Sequence, residues 1–360
     1  MDSLTQIVLG AACGELVLGK KIGNKALLFG AIGGTIPDLD VFIGGWLYGN
    51  EIDAMAFHRG FMHSILFAFL GAFFFGWITY RLYNNGKRLE TTTLKDWIWL
   101  YFLSIFTHPI LDSFTPYGTQ LFAPFSDYRI AFNNISVADP AYTLPFLICL
   151  IVAMFYNRTR TRRQYWVKAG IIISSAYMLF TIGNKFYVNS IFEKSFDEAN
   201  INYSRFSVQP TILNNLLWYG IAETPTDYRV GFYSLFDTKN RVDTILTIPK
   251  NRKLLDVQHP DIKTLTWFSN GYYNLTPMDS SKNIQYLDLR YPLLNPKDIH
   301  TSMFRFELKK DKNRWDMVPF SGNRPSKEDL QEFRNRFSGI SRDTILSSSV
   351  LIFVPSCSVT

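Results

Sequence analysis

Cysteine, histidine and concentrated charge are all scarce in this chain. Three cysteines occur in 360 residues, Cys13, Cys149 and Cys357. They are scattered and odd in number, which excludes a disulfide framework and a four-cysteine zinc site. There are five histidines. Charged residues make up 19%, and no Lys/Arg stripe with interleaved aromatics occurs. The formal net charge of +7 is therefore not a nucleic-acid footprint, and no nucleic acid is expected as a partner. Apolar residues are what the chain has in plenty. They amount to 47%, aromatics to 16% and Phe alone to 31 residues, which excludes a disordered chain. The length allows about two domains. A mean hydropathy of +0.01 looks like that of a soluble protein, but the average hides two unlike halves.

The first half reads as a membrane bundle. Residues 64–80 and 141–157 are each 17 residues without a charge, and 169–184 add a further 16. Residues 97–111 are apolar apart from Ser104, Thr107 and His108. With flanking residues, each run approaches the roughly 20 needed to cross a bilayer. Two weaker Gly/Ala-rich segments come first, 4–19, interrupted by Glu15, and 26–37. They read either as spans or as buried or re-entrant helices, small residues being common where helices pack closely in a bundle. Charge sorting favours six crossings. Lys20, Lys21 and Lys25 share one loop, Arg81, Lys87, Arg88 and Lys95 the next alternate one, and Arg158, Arg160, Arg162, Arg163 and Lys168 a third. These are twelve of the fourteen basic residues in 1–184, and only Arg59 and Arg129 lie on the other side. By the positive-inside rule the three basic loops are cytoplasmic. Asp2 and Glu15 stand where a secretory signal would need a basic start and a clean apolar core, so no cleavable signal is evident.

The second half has no comparable apolar run. Helix-like stretches at 186–199 and 211–217 precede strand-like runs at 218–223, 228–236, 264–268, 284–291 and 303–308. The alternation Phe304-Arg305-Phe306-Glu307 suits a half-exposed sheet. Turn signals at 224–227 and 269–271 separate the runs. His259 and His300 are isolated and read as solvated or structurally bonded; 350–354 reads as a final strand. The expected fold is thus an N-terminal all-α polytopic membrane bundle of about six helices (1–184), followed by an external β-rich (α+β) domain (185–360). The expected location is the cytoplasmic (inner) membrane, with the C-terminal domain outside the cytoplasm.

In this topology the remaining ionisable residues gather at the outer ends of the helices. Asp38 and Asp40 end the second apolar segment, His58, Arg59 and His63 enter the third, His108 and Asp112 end the fourth, and Asp139 opens the fifth. His108 and Asp112 are four apart and share a helix face, although Pro109 between them weakens that geometry. Singly each has a bland reading: Asp38 and Asp40 as a helix-end turn, the histidines as interfacial, Arg59 as an anchor to lipid headgroups. Together they are harder to dismiss, because ionisable groups at membrane level are costly and usually functional. Carboxylates and imidazoles without a nearby thiolate suit zinc or manganese. The other reading is a polar network that only stabilises the bundle.

These same residues carry a family resemblance. The N-terminal Met-Asp-Ser-Leu-Thr-Gln-Ile-Val-Leu-Gly, Pro37-Asp38-Leu39-Asp40, His58-Arg59-Gly60-x-x-His63-Ser64 and His108-Pro109-x-x-Asp112 resemble, over about residues 1–160, the YdjM family of membrane-bound metal-dependent hydrolases. That family is thought to be distantly similar to zinc-dependent phospholipase C and related zinc nucleases. The resemblance implies metal roles for Asp38, His58 or His63, His108 and Asp112. The chain departs from the pattern at Gln6, where family members often carry His. An amide is a poorer zinc ligand than imidazole, so one metal of a multi-metal site would be absent, weakened or held differently, for example by Asp2 or Glu15.

A mechanism follows as an expectation. Two or three divalent ions would polarise a phosphoryl oxygen and lower the pKa of a bound water toward about 7. Asp38 or Asp40 would accept its proton or bridge the metals. Arg59 would bind phosphate oxygens or simply snorkel. The 26-residue loop 113–138 would act as a lid or binding segment, or as an interfacial loop. The substrate reached from the outer leaflet would be a phospholipid or another lipid-linked phosphoester, with membrane lipids as surroundings. The alternative class is a non-catalytic membrane protein with a structural metal or polar cluster and an external partner-binding domain.

Overall fold

A computed structural model describes residues 1–242, 244–278, 283–293, 302–319 and 326–339. His300, Cys357 and the expected strand at 350–354 lie outside the described residues.

Helices α1 (Ser3–Ile22) and α2 (Asn24–Thr35) cross with their backbones in contact. The contact is made by Gly10 and Gly14 on one helix and Gly30 and Gly34 on the other. A Cβ on Gly30 would fall 2.2 Å from the Gly10 carbonyl oxygen, and one on Gly14 would fall 2.1 Å from that of Ala26. Only small-xxx-small spacing permits such an approach. A short 3-10 turn, Pro37–Leu39, then bends the chain by 45° into α3 (Asp40–Leu47). Phe42 and Trp46 of α3 are 75% and 85% exposed, an apolar face turned away from the protein. Next come α4 (Glu51–Phe57), a 3-10 turn at Phe61–His63, α5 (Ile65–Tyr83), α6 (Leu94–Ser113), α7 (Pro140–Met154) and α8 (Thr161–Glu198).

Among the described residues, α5 and α8 are long and apolar enough to cross a membrane, and α2 with α3 forms a bent third candidate. This corrects the expectation of about six crossings. At 1.5 Å per residue, the 15 residues of α7 reach only about 22 Å against a core of about 30 Å. Helix α1 carries Glu15, Lys20 and Lys21, and α6 carries Lys95, Asp96, His108 and Asp112. Buried partners make those charges tolerable. Glu15 receives Nε and Nη2 of Arg163 on α8, both at 2.6 Å. Glu15 is therefore engaged and does not supply the missing ligand. The three basic segments meet at this end of the bundle: Lys21 bonds Asp96 at 2.6 Å, Arg158 donates to the Lys21 carbonyl, and Asn24 donates to that of Met154.

Helix α8 does not stop where its apolar run ends at Asn184 but continues unbroken to Glu198. Its last turns seat Val188, Phe192 and Phe196 on an antiparallel sheet ordered β1 (Arg205–Pro210), β2 (Leu217–Glu223), β3 (Asp227–Ser234), β4 (Ile245–Pro249). Gly220, opposite Gly231 in the register, gives the Phe192 ring its place; a Cβ there would lie 2.2 Å from that ring. The other face of this sheet packs Tyr219, Ile221 and Val230 against Leu287 and Leu289. Leu287 belongs to a second antiparallel sheet ordered β5 (Tyr273–Pro277), β6 (Ile284–Asp288), β7 (Arg305–Asp311), β8 (Arg314–Pro319). Every residue of β2 is buried, because both of its faces are covered. Helix α10 is Lys327–Phe337.

Two expectations fail here. Residues 264–268 are not a strand but the end of α9 (Pro260–Phe268). Pro260 opens that helix, the His259 side chain accepts from the Asp261 amide, and Ile262, Leu265 and Phe268 line one buried face at helical spacing. Residues 211–217 are not helical. The Asn214 side chain accepts from the amides of Leu216 and Leu217 and donates to Thr211, a local turn that competes with a helix.

Candidate metal centre

Three segments deliver four ionisable side chains to one point. Asp38 comes from the bend after α2, His63 from the turn before α5, and His108 and Asp112 from the last turns of α6. Helix α6 runs unbroken through Pro109, so the two keep their shared face. One donor atom from each of Asp38, His63, His108 and Asp112 lies within 4.8 Å of all the others. The His63 and His108 Nε2 atoms are 3.1 Å apart, and both are 3.4 Å from Asp38 Oδ1. Asp112 Oδ2 is 3.5 Å from His63 Nε2 and 3.6 Å from His108 Nε2. His63, His108 and Asp112 are buried, while the Asp38 side chain is 22% exposed.

Neighbouring groups set the direction of each donor. His108 Nδ1 is 2.6 Å from the Gly34 carbonyl oxygen, which can only accept, so Nδ1 carries a proton and Nε2 is the nitrogen turned toward the cluster. This bond exists because α1 and α2 meet closely enough to bring the C-terminal end of α2 against α6. His63 Nδ1 lies 3.0 Å from Asp40 Oδ2, off the line of a good hydrogen bond. Asp40 is itself buried and engaged at both oxygens: its Oδ1 is 2.7 Å from His58 Nδ1, and its Oδ2 accepts from the Arg59 amide at 2.9 Å. Burial lowers the His58 imidazole below its ordinary pKa against the opposing pull of Asp40.

Arg59 is buried, with Nε 3.0 Å from Asp112 Oδ2 and Nη1 donating to Thr115 at 3.2 Å. Its guanidinium stacks 4.4 Å above the Tyr117 ring. It does not point along the bundle toward lipid. The other Asp112 oxygen, Oδ1, receives the Met1 amino group and, at 2.9 Å, Gln6 Nε2. Gln6 Oε1 is buried without a partner beside the cluster.

The structure thus unites Asp38, His63, His108 and Asp112 and places Asp40, His58 and Arg59 directly behind them. It does not bring in Asp139, whose carboxylate caps α7 at the Ala141 amide and accepts from Tyr177 at 2.9 Å. Asp2 likewise caps α1. The Gly34 carbonyl left no trace in the sequence, since backbone atoms carry no motif. Loop 113–138 joins the site to the C-terminal domain. Gln120 N bonds the Arg59 carbonyl at 3.1 Å, and the Tyr117 ring sits 5.5 Å from that of His58 and 5.2 Å from that of Phe268 on α9. Helix α4 docks on β8, where Asn50 donates to the Trp315 carbonyl at 2.8 Å.

Comparisons with known proteins agree with this region. The uncharacterized protein YfhP of Bacillus subtilis (strain 168) is 28% identical over 159 residues, 42% of this chain and 46% of YfhP, so the match spans about half of that protein's length. The inner membrane protein YbcI of Escherichia coli (strain K12) is 35% identical over 144 residues, 37% of this chain and 77% of YbcI. No solved structure matches, and a likeness to zinc-dependent phospholipase C is not shown. The family described as YdjM inner membrane protein matches residues 1–187, more than half of the sequence, and the chain belongs to that family.

Proposed function

We propose that this chain is a membrane-bound, metal-dependent hydrolase that cleaves a phosphoester of a lipid or lipid-linked substrate. One observation carries the metal: the spacing of the four donor atoms. Around an ion with bonds of 2.0–2.1 Å, the ligands of a tetrahedron lie roughly 3.3–3.4 Å apart. The five separations above run from 3.1 to 3.6 Å. Asp112 Oδ2, buried and with Arg59 Nε 3.0 Å away but off the line of a hydrogen bond, keeps lone pairs for the same ion. Two imidazoles and two carboxylates without thiolate suit zinc, with manganese next.

When bound, a divalent ion supplies Lewis acidity and an acidified water. The protein's own groups do the rest. Gly34 and Asp40 hold the two imidazoles in place, as partners behind metal-binding histidines commonly do. Asp38, the one donor open to solvent, accepts a proton from water at its carboxylate. Arg59 places a fixed positive charge beside Asp112, where a phosphoryl oxygen would gather negative charge. Asp40, buried behind the imidazoles and engaged by His58 and the Arg59 amide, serves as a positioning residue, not as a base. The convergence of the basic segments at the opposite end of the bundle supports cytoplasmic basic loops and an extracytoplasmic site and domain.

One observation favours a second reading, a structural metal without catalysis: four protein donors already complete a tetrahedron, as in closed structural sites. The experiment that separates the two is hydrolysis of phospholipid and phosphomonoester substrates by detergent-purified protein. The hydrolase reading expects activity that a chelator abolishes and zinc or manganese restores. Folded, metal-loaded protein without activity would leave the structural reading standing.

A further inference from the structure

Loop 113–138 holds a second polar feature, separated from the four donors by Tyr117. Arg129 lies among three aromatic rings, with Cζ 5.0 Å from the centroid of Tyr117, 5.2 Å from Trp267 and 4.9 Å from Phe268. Its Nη2 donates to the carbonyls of Tyr117 and Gly118 at 3.1 and 3.0 Å. Its Nε and Nη1 are shut off from solvent and bond nothing. Arg129 as a whole is half-buried, whereas the fully buried arginines each have a carboxylate: Arg59 has Asp112, Arg163 has Glu15, and Arg290 has Asp288. Among the described residues Arg129 has none. Burial, with Arg290 and Arg59 close by, pulls its pKa down to about 10. Buried charges are normally paired, and a guanidinium left without an anion is strongly unfavourable.

A cavity of about 220 Å³ opens beside this group, between the loop and the C-terminal domain, and is lined among others by Tyr117, Asp127, Asn133, Gln209, Asn270 and Arg290. It is smaller than the roughly 300–1,000 Å³ of drug-sized ligand sites and suits a compact group. The walls add neutral amides from several sides, and the Arg290 charge is already balanced by Asp288 at 2.6 Å. Asp127 on the rim is exposed and makes no ion pair with Arg129, so the guanidinium itself is left without an anion. Guanidinium groups recognise phosphate strongly, through charge-assisted hydrogen bonds.

We propose that Arg129 and this cavity form a binding site for a phosphoryl anion, either free phosphate or the phosphate of a lipid headgroup. The site is built jointly by loop 113–138 and the C-terminal domain, and it stands whether or not the four-residue centre is catalytic. It also gives the C-terminal domain a task, since Trp267, Phe268, Gln209 and Asn270 all come from it.

The test is a binding titration on the full-length protein with two probes: inorganic phosphate in detergent, and nanodiscs containing phosphatidic acid against phosphatidylcholine alone. Binding of phosphate identifies the free anion, and binding only in phosphatidic acid nanodiscs identifies the headgroup. In either case Arg129→Gln weakens binding roughly 30-fold or more, while Asp38→Asn, at the four-residue centre, keeps it. Asn133→Asp, which places a carboxylate in the same cavity, should fold at least as well as the wild type and abolish binding, so the test survives if Arg129→Gln fails to fold. Wild-type protein that binds neither probe overturns the proposal. So does binding that persists in both Arg129→Gln and Asn133→Asp, or binding lost in Asp38→Asn but kept in Arg129→Gln, which would place the anion at the metal centre.

Discussion

Replacing Gly30 by alanine tests how the α1–α2 crossing builds the metal centre. The new Cβ would sit 2.2 Å from the Gly10 carbonyl oxygen and 2.8 Å from the Gly14 Cα and amide nitrogen. All are backbone atoms and cannot rotate away. Normal contact begins near 3.5 Å, so the two helices must part by about 1 Å. Overpacking of this kind costs about 1–3 kcal/mol, against a gain of at most about 1 kcal/mol from alanine's better helix propensity. The net expectation is a loss on the order of 1 kcal/mol and a fall in Tm of a few degrees. The larger effect is at the site. Helix α2 carries the Gly34 carbonyl that fixes His108, and Asp38 follows directly after it. Metal bonds tolerate only about 0.2 Å of error, so a shift near 1 Å should weaken metal binding by at least about tenfold in a chelator competition. Gly45→Ala is the control: nothing lies within 4 Å of a Cβ there, so metal affinity should hold and Tm should stay level or rise slightly. If Gly30→Ala raises Tm and binds metal like the wild type, the close crossing does not position the centre.

Three further substitutions probe other parts of the account. Glu15→Ala leaves Arg163 buried and unpaired and should destabilise the protein by about 3–5 kcal/mol in thermal unfolding, whereas Glu15→Leu with Arg163→Met should recover most of that loss; equal stability of the wild type and Glu15→Ala would refute the buried pair. Asp40→Asn keeps all four donors but weakens the orientation of His63, and should reduce metal affinity about 10–100-fold without changing the stoichiometry. In the C-terminal domain, burial raises the Glu223 carboxyl, but Lys250 and Arg205 outweigh that and hold its pKa below the ordinary value of 4.5. A depressed carboxylate stabilises the fold above its unfolded pKa and loses that contribution as pH falls through the folded pKa. Stability measured against pH should therefore drop below about pH 4.5 in the wild type and drop less steeply in Glu223→Gln.

The site was legible because ionisable residues inside apolar segments are expensive, and His108 with Asp112 announced themselves that way. Sequence could not separate His58 from His63 or Asp38 from Asp40. In each pair one residue faces the common point and the other stands behind it, a distinction made by the turns at Pro37–Leu39 and Phe61–His63. Asp139 was placed by topology alone, and its carboxylate is consumed as a helix cap. The number of crossings was misjudged because apolar runs were counted as spans without weighing the charged residues that α1 and α6 carry or the 15-residue length of α7. Hydropathy also located the end of the apolar face of α8 rather than the end of the helix, since the turns after Asn184 bury only one side against the sheet. The five apolar-rich residues at 264–268 fit a strand or a helix equally well until Pro260 and the His259 cap are counted. Arg129 stood out only as one of two basic residues away from the basic loops. A lone arginine in a long loop becomes unusual only when its guanidinium is found shut off from solvent without a carboxylate.

The central claim is that Asp38, His63, His108 and Asp112 hold one divalent ion, and X-ray absorption with elemental analysis on the purified full-length protein tests it most directly. The account predicts about one tightly held ion per chain, a coordination shell of nitrogen and oxygen at about 2.0–2.2 Å that includes two imidazoles, no sulfur, and loss of the ion in both His108→Ala and Asp112→Ala. Folded protein free of metal after exposure to zinc and manganese, a sulfur shell, or unchanged metal in those two variants would contradict it.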